Sequence, residues 1–284
     1  MFFIQAWFRR TKYFLIEQIV WYNMILIKLG GSIITNKEKP LSARKKIIDN
    51  LAKNLKKIKE PIIVVHGGGS YGHYWSVKYD MHTKERKYDI RGVSIIKNSM
   101  IELNKIILDS LLKNKLNPYS LPPTDFMSSN KPIPNKVKEV EKIAKSGLIP
   151  VTYGDALWFG QNKTYILSGD KIMTHFAKIL KPRLCIFALN EDGLYSDLKS
   201  KKLISELKGN LPLMSENKMD VTGGMTRKVE EAIKISKMGM NVFFVNGKKP
   251  ERIVAAVKNR EFKGTMFRGK RNAWRISNTS RWKW

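Results

Sequence analysis

The sequence has little cysteine, few acidic residues and no long hydrophobic run, and each shortage excludes a class of protein. Its single cysteine, Cys185, excludes an intramolecular disulfide framework and a cysteine-rich zinc site, and it fits a reducing cytoplasm. No run of about 18 apolar residues occurs, so no membrane-spanning helix is expected. The 24 acidic residues stand against 53 Lys and Arg, a formal charge of +29, which makes a nucleic-acid partner one hypothesis.

Several catalytic motifs are also missing. There is no G-x-x-x-x-G-K-[ST] motif, which excludes a P-loop NTPase, and no D-F-G set of a protein kinase. No His/Cys cluster has the spacing of zinc ligands, so no metal-binding side chains are predicted. The middle of the chain also lacks a basic groove with interleaved aromatic residues, and no nucleic-acid partner is expected from it.

The two ends differ from the middle in charge and in tryptophan content. Residues 1–23 carry +2 and residues 268–284 carry +6, which leaves +21 on residues 24–267, and the two ends hold five of the seven tryptophans. We therefore expect both ends to lie outside the folded domain. Residues 1–23 are interpreted as non-native sequence before a start at Met24, a disordered extension, or a basic aromatic helix at a membrane surface. Residues 268–284 are expected to be a disordered basic tail, and contact with nucleic acid or anionic lipid is the alternative.

Between the ends, the hydrophobic pattern alternates between strands and helices. With 43% hydrophobic residues the chain can bury a sizeable core. Alternating strands and helices predict an α/β fold, a mainly parallel sheet with helices on both faces. Residues 74–90 are interpreted as a mobile loop. The pattern predicts strands at 25–29, 62–65, 148–152, 184–189 and 242–245, and helices at 42–59, 92–114, 135–146, 172–180, 226–238 and 250–258.

Glycine-rich turns follow several of these strands. Ligands of open α/β sheets bind outside the carboxyl ends of the strands, which makes these turns the first candidates for function. The strongest is His66-Gly67-Gly68-Gly69-Ser70-Tyr71-Gly72-His73, whose glycines let backbone N–H groups approach an anion. It also matches G-x-G-x-x-G, with Asp89 near the place of the ribose-binding acid of a dinucleotide fold. A tight strand-to-helix turn without a ligand is the alternative.

Three further motifs carry candidate phosphate-binding groups. Lys28-Leu29-Gly30-Gly31-Ser32 places a lysine beside two glycines at a strand end, although a solvated edge lysine would give the same pattern. Val221–Lys228 contains Gly223-Gly224 at a helix start with Lys228 one turn later, which favours an anion. Ser168-Gly169-Asp170 precedes another helix, and Asp170 could simply cap it.

Taken together and in this order, these motifs resemble those of the amino-acid kinase superfamily, and within it those of the isopentenyl phosphate kinases. Three details favour that family: His73 at the end of H-G-G-G-S-Y-G-H, Ile34-Thr35-Asn36-Lys37 as its I-T-[DN]-K, and Val151–Asp155 as its P-V-x-Y-G-D. The resemblance spans residues 24–267.

The resemblance implies the amino-acid kinase fold, a three-layer αβα sandwich around a mainly parallel sheet. It implies ATP- and Mg²⁺-dependent phosphorylation of isopentenyl phosphate to isopentenyl diphosphate, by in-line transfer, in isoprenoid biosynthesis. A cytoplasmic homodimer is expected. An N-terminal lobe, residues 24–182, would bind the acceptor, and a C-terminal lobe, residues 183–267, would bind the nucleotide.

The resemblance also implies roles for single residues. Lys28 would contact the transferred phosphate, Lys37 would stabilise transition-state charge, and Asp170 would orient Lys28. His73 would hold the acceptor phosphate. Gly154 would contact the substrate, and Gly68 and Gly69 would contact both facing phosphates. The ATP phosphates would be bound by Gly30, Gly31, Ser32, Gly224 and Lys228.

One position departs from the family pattern, and three other functions stay open. Asn190 in Asn190-Glu191-Asp192-Gly193 stands where the family usually carries an aspartate, so the ATP site loses one charge there. Another kinase of the superfamily, acting on fosfomycin, acetylglutamate, carbamate or uridylate, would share the ATP half, although His73 argues against all but the first. A dinucleotide-binding oxidoreductase fits only residues 67–72, and a nucleic-acid-binding protein fits only the net charge.

Overall fold

Short runs of β-branched and aromatic residues form the strands of the protein. The structure is a computed structural model, and it describes residues 24–36, 38–197, 199–207 and 223–269. The predictions for residues 1–23 and Lys37, and for most of the predicted tail, lie outside the described residues. The strands are β1 Ile25–Leu29, β2 Ile62–His66, β3 Pro118–Ser120, β4 Met127–Ser128, β5 Lys131–Pro132, β6 Ile149–Tyr153, β7 Asp155–Gly160, β8 Lys163–Leu167, β9 Leu184–Leu189, β10 Leu194–Asp197, β11 Lys202–Ile204, β12 Glu206–Leu207, β13 Asn241–Asn246 and β14 Gly264–Phe267.

Eight of these strands form one sheet, in the order β12-β14-β13-β9-β1-β2-β6-β3. The six strands from β13 to β3 are parallel, whereas β14 runs antiparallel to β13. The other strands form three two-stranded hairpins, β4-β5, β7-β8 and β10-β11. The carboxyl ends of the parallel strands therefore lie along one edge of the sheet, with β1 at its centre.

The described residues form eight α-helices, most of which contain apolar residues at helical spacing. They are α1 Gly31–Ile34, α2 Lys45–Leu55, α3 Gly69–Lys78, α4 Ile90–Lys113, α5 Pro134–Lys145, α6 Gly169–Leu180, α7 Gly223–Lys237 and α8 Glu251–Val257. A short 3₁₀ helix lies at Pro123–Asp125.

The sheet has a hydrophobic core on each face. On one face, buried residues of α2, α4 and α8 pack against alternate strand residues such as Ile27 and Val64. On the other face, buried residues of α5, α6 and α7 pack against the intervening strand residues, such as Leu26 and Val65. Because successive strand residues point to opposite faces, both cores use the same strands. The fold is thus the three-layer αβα sandwich that the motifs predict.

The predicted strands and helices are confirmed, with ends that shift by a few residues. The mobile-loop interpretation of residues 74–90 is wrong for its first part, because α3 continues to Lys78. This helix buries only Ser70 and Tyr71 among its side chains, so it has no amphipathic pattern to recognise. The later part is also paired, since Arg86 forms an antiparallel bridge with Thr164 of β8.

The expected lobe boundary after residue 182 falls between α6 and β9. Both sides of this boundary contribute strands to the same sheet, and the assignment of one ligand to each lobe stays a prediction. In the part of the chain that the structure describes, no helix is long and apolar enough to cross a membrane.

Candidate active site

The glycine turns after β1 and β2 lie side by side at the carboxyl edge of the sheet. Leu29 is the register partner of His66, and each strand runs directly into its turn. The N–H of Gly67 donates to the carbonyl of Leu29 at 2.9 Å, and the N–H of Gly30 donates to the carbonyl of Ala188 on β9 at 3.0 Å. Three neighbouring strand ends are thereby fixed to one another by backbone hydrogen bonds.

The two turns touch backbone to backbone at Gly31 and Gly69. A Cβ atom on Gly31 would lie 2.3 Å from the nitrogen of Gly69, and Gly69 has a φ of +49°. Thr35 joins the turns, because its buried hydroxyl donates to the carbonyl of Gly31 at 2.8 Å and accepts from the N–H of Ser70 at 2.9 Å. Within the Ile34-Thr35-Asn36-Lys37 motif nothing predicts this role of Thr35, since its contacts depend on residues far along the chain.

Lys28 and Asp170 form a buried ion pair beneath these turns. The Lys28 ammonium lies 2.8 Å from Oδ1 of Asp170, and the two side chains are 4% and 12% exposed. Lys28 also lies 5.9 Å from the centroid of the Phe187 ring. The solvated-edge interpretation of Lys28 is therefore wrong, because β1 is central and its last side chains are covered by α6.

Asp170 carries its charge in spite of its burial. Burial by itself raises the pKa of the Asp170 carboxyl, but the charges of Lys28 and Lys228 outweigh it and lower the pKa below the usual 3.8. Asp170 is also not the cap of α6, because Ser168 takes that place and accepts from the N–H of Lys171 at 3.2 Å. Its carboxylate is thus available to orient two lysines.

The start of α7 brings a second lysine to this pair. The Lys228 ammonium lies 3.8 Å from Oδ2 of Asp170 and donates to the carbonyl of Gly224 at 2.7 Å. The structure thus brings Lys28, Asp170 and Lys228 together, and Gly224 contacts Lys228 directly. Val221 and Thr222 of the same motif lie outside the described residues.

His73 lies on α3, directly after the glycine turn. With Gly69, Ser70, Tyr74, Val77 and Lys78 it lines an open cleft of about 330 Å³. The His73 side chain is exposed, Gly68 precedes the first turn of α3, and Ser32 lies half-buried in α1. The cleft therefore combines a glycine turn, a histidine and apolar side chains on one helix face.

Gly154 belongs to the same edge of the sheet. Its N–H donates to the carbonyl of His66 at 3.1 Å, so the turn after β6 is fixed to the start of the glycine turn. The ring of Tyr153 stacks on that of His66, with 5.2 Å between centroids. The predicted acceptor contacts Gly68, Gly69 and Gly154 thus come from two linked turns.

The turn after β9 is anchored through Asp192. Its Oδ1 accepts from Arg252 at 2.7 Å and from the Asn246 amide at 2.9 Å, and Lys263 lies 3.1 Å from Oδ2. Burial by itself raises the pKa of Asp192, but these donors outweigh it and lower the pKa to about 2. Asp192 therefore fixes the turn, and Asn190 is left half-buried at the end of β9.

Asp89 has a structural role at the start of a helix. Its carboxylate caps α4 by accepting from the N–H of Gly92 at 2.7 Å. This cap accounts for Asp89 without a ribose, so the G-x-G-x-x-G match at residues 67–72 gains no support from it.

The chemistry of the site is that of a cation-rich phosphate cradle. Two ammonium groups, the N–H groups of glycine turns and the starts of α6 and α7 all favour anions. Among the described residues, no group of three His, Cys, Asp or Glu side chains could hold a metal ion. Such an arrangement suits the binding of phosphate groups.

Comparisons with known proteins agree with this geometry. The model of the amino acid kinase family matches residues 23–246. The isopentenyl phosphate kinase of Thermoplasma acidophilum is 30% identical over 86% of this chain and all of the relative. That of Methanocaldococcus jannaschii is 30% identical over 85% of this chain and 97% of the relative. A solved isopentenyl phosphate kinase substrate complex superimposes with a TM-score of 0.73 at 28% identity, covering 87% of this chain and all of that one.

Proposed function

The chain belongs to the amino acid kinase family, and from this premise we propose that it transfers the γ-phosphoryl group of ATP to isopentenyl phosphate, which yields isopentenyl diphosphate. The observation that carries this proposal is the buried Lys28–Asp170 pair beneath two touching glycine turns, with His73 on the adjoining helix. Relatives that match nearly the whole chain are named isopentenyl phosphate kinases, and this supports the choice of acceptor.

In the proposed reaction an oxygen of the acceptor phosphate attacks the γ-phosphorus of ATP while the bond to the β-phosphate oxygen breaks. The acceptor oxygen is already ionised near neutral pH, so no strong general base and no covalent enzyme intermediate are needed. Catalysis then depends on alignment and on neutralising the charge that spreads over the transferred group.

Each group at the site has a place in this scheme. Lys28, oriented by Asp170, contacts the transferred phosphoryl group, and Lys228 neutralises the ATP phosphates beside Gly224. The backbone of Gly30, Gly31 and Ser32, with Asn190, completes the nucleotide side. Gly68 and Gly69 lie between the two phosphates, and Lys37 adds a further charge. His73 and Gly154 bind the acceptor.

We also propose that ATP enters with Mg²⁺. Among the described residues no group of three His, Cys, Asp or Glu side chains could hold a metal ion by itself. Mg²⁺ is usually bound through one or two carboxylates together with the phosphates of the substrate. When bound, Mg²⁺ neutralises charge on the β- and γ-phosphates. Lys28 is then left to act on the transferred group itself.

Removal of divalent ions is expected to reduce turnover by about 10²-fold or more, because several kcal/mol of charge neutralisation are lost. The measurement is ADP release in excess EDTA and after Mg²⁺ is added back. Full activity in EDTA would contradict the role of the ion. It would not contradict the proposed acceptor.

The acceptor is tested with coupled ADP release from the full chain and a panel of acceptors. We expect kcat/KM for isopentenyl phosphate to exceed that for fosfomycin by about 10²-fold or more, since the site is built to bind a phosphate monoester. Acetylglutamate and uridylate complete the panel. Preferred turnover of fosfomycin would instead identify a fosfomycin-kinase-like enzyme, and retention on DNA that weakens with salt would support the nucleic-acid alternative.

Replacing His73 with Ala is expected to raise KM for isopentenyl phosphate by about tenfold or more, because one donor to the acceptor phosphate is lost. ATP binding, measured by calorimetry, should stay unchanged. His82→Ala is the matched control, since His82 is an exposed histidine paired with Asp80 in the loop that follows α3. An unchanged KM and kcat in the His73 variant would rule out its assignment to the acceptor.

A homodimer in the cytoplasm, acting in isoprenoid biosynthesis, completes the proposal. The expectation of a dimer rests on the family resemblance. Sedimentation velocity at two protein concentrations measures the oligomeric state directly.

A further inference from the structure

A second buried ion pair lies beside the acceptor turn. The Lys97 ammonium on α4 lies 2.5 Å from Oδ2 of Asp155, the residue that directly follows Gly154. The Asp155 side chain is 1% exposed, whereas that of Lys97 is 32% exposed. The other carboxylate oxygen of Asp155 accepts from the N–H of Ala156 at 2.8 Å, so both oxygens of Asp155 have a hydrogen-bond partner.

The Asp155 carboxylate depends on this single lysine for its charge. Burial raises the pKa of Asp155 to about 6, against the opposing effect of Lys97. Removing Lys97 would leave a carboxyl group enclosed by protein with only a backbone N–H as partner. Such a group must then become neutral or move toward water.

The same helix holds the neighbouring acceptor turn. Asn104 lies two turns along α4 from Lys97, and its Oδ1 is 3.2 Å from Nε2 of His66, at the start of the glycine turn. His66 in turn stacks on Tyr153 and accepts from Gly154 through its carbonyl. The amide of Asn104 also donates to the hydroxyl of Ser120 on β3 at 3.0 Å. The Lys97–Asp155 and Asn104–His66 contacts thus join α4 to the two turns proposed to bind the acceptor.

We propose that Lys97 is a positioning residue for the acceptor: its ion pair with Asp155 links the Tyr153–Asp155 turn to α4, beside His66, so that Gly154 faces the acceptor phosphate. The inference rests on the proposed function for the identity of that phosphate. Lys97 itself need not touch the substrate, because its ammonium is engaged with Asp155.

Kinetics of Lys97→Met test the positioning role. We expect KM for isopentenyl phosphate to rise about tenfold, with KM for ATP changed by less than about twofold, because only the acceptor turn is displaced. Lys97→Arg should restore KM to within about threefold, since it keeps the charge. Lys105→Met is the matched control, because Lys105 lies on the same helix and pairs with Asp109 in solvent.

A double variant keeps the test valid if Lys97→Met folds poorly. Lys97→Met with Asp155→Asn removes both charges, so no unpaired carboxylate is buried, and the rise in acceptor KM should persist. Equal rises in both KM values, or an acceptor KM that equals the wild-type value in the double variant, would overturn the proposal.

Hydrogen exchange of the substrate-free protein gives a second and independent readout. Amides in peptides covering 66–72 and 149–157 should exchange faster in Lys97→Met, while those covering 190–193 should not change. Unchanged exchange in all three would overturn the positioning role. A wild-type protein that does not phosphorylate isopentenyl phosphate would contradict only the proposed function, because this measurement needs no substrate.

Discussion

Replacing Lys28 with Met is expected to lower kcat by about 10³-fold, the range over which single charge-stabilising groups act in acyl and phosphoryl transfer. The ammonium is buried and oriented by Asp170, so water cannot take its place. Single-turnover kinetics with saturating ATP and acceptor measure the effect. An exposed lysine of α2, Lys46, gives the matched control, and its replacement by Met should leave kcat unchanged.

The loss of activity must be separated from a loss of stability. Removing one partner of a buried ion pair costs about 3–5 kcal/mol of unfolding free energy, and less is expected here because Lys228 remains 3.8 Å from Asp170. Asp170→Asn added to the Lys28 variant should restore much of the stability and none of the activity. If kcat of the Lys28→Met variant lay within tenfold of the wild-type value, Lys28 would have no catalytic role.

Replacing Gly31 with Ala is expected to reduce kcat/KM by about 10²-fold, because displacement of a phosphate-binding turn by even 1 Å has effects of that size. The new methyl group would lie 2.3 Å from the backbone nitrogen of Gly69 and 2.7 Å from its Cα. Backbone atoms of a neighbouring strand end cannot move aside independently, so the two turns must separate. Steady-state kinetics for ATP and for the acceptor measure the loss on both sides of the site.

Gly147→Ala gives the control for backbone strain alone. Gly147 has a φ of +92° at the end of α5, and a Cβ atom there would contact nothing within 4 Å. This variant should lose about 1–3 kcal/mol of stability through its backbone conformation and keep full activity. If both glycine variants lost the same activity, contact between the two turns would not be the cause.

The elements and the motifs could be predicted because both depend on residues close together in the sequence. Apolar runs such as Ile62–Val65 and the spacing of α5 indicate strand and helix wherever they occur. Helix α6 begins at Gly169, three residues before its apolar pattern starts, since the cap at Ser168 carries no apolar signal. Helix α3 has no apolar pattern that would predict it, because it buries almost none of its side chains.

The contacts that give single residues a function could not be predicted in the same way. Thr35 and Lys97 carry no local signal, since one is a threonine in a short motif and the other a lysine in a lysine-rich helix. Their importance arises from partners, Ser70 and Asp155, that only the folded chain brings near.

The sequence by itself determined that this protein is an α/β protein with one cysteine and glycine turns at its strand ends, because periodicity and turn chemistry are local properties. It also indicated the phosphate chemistry, through motifs that resemble one family in order and spacing. Only the tertiary structure decided that Lys28 is buried against Asp170 and that Lys228 joins them from a third element. The reason is that burial and charge pairing depend on which strands are neighbours in the sheet, and strand order is a property of the whole chain.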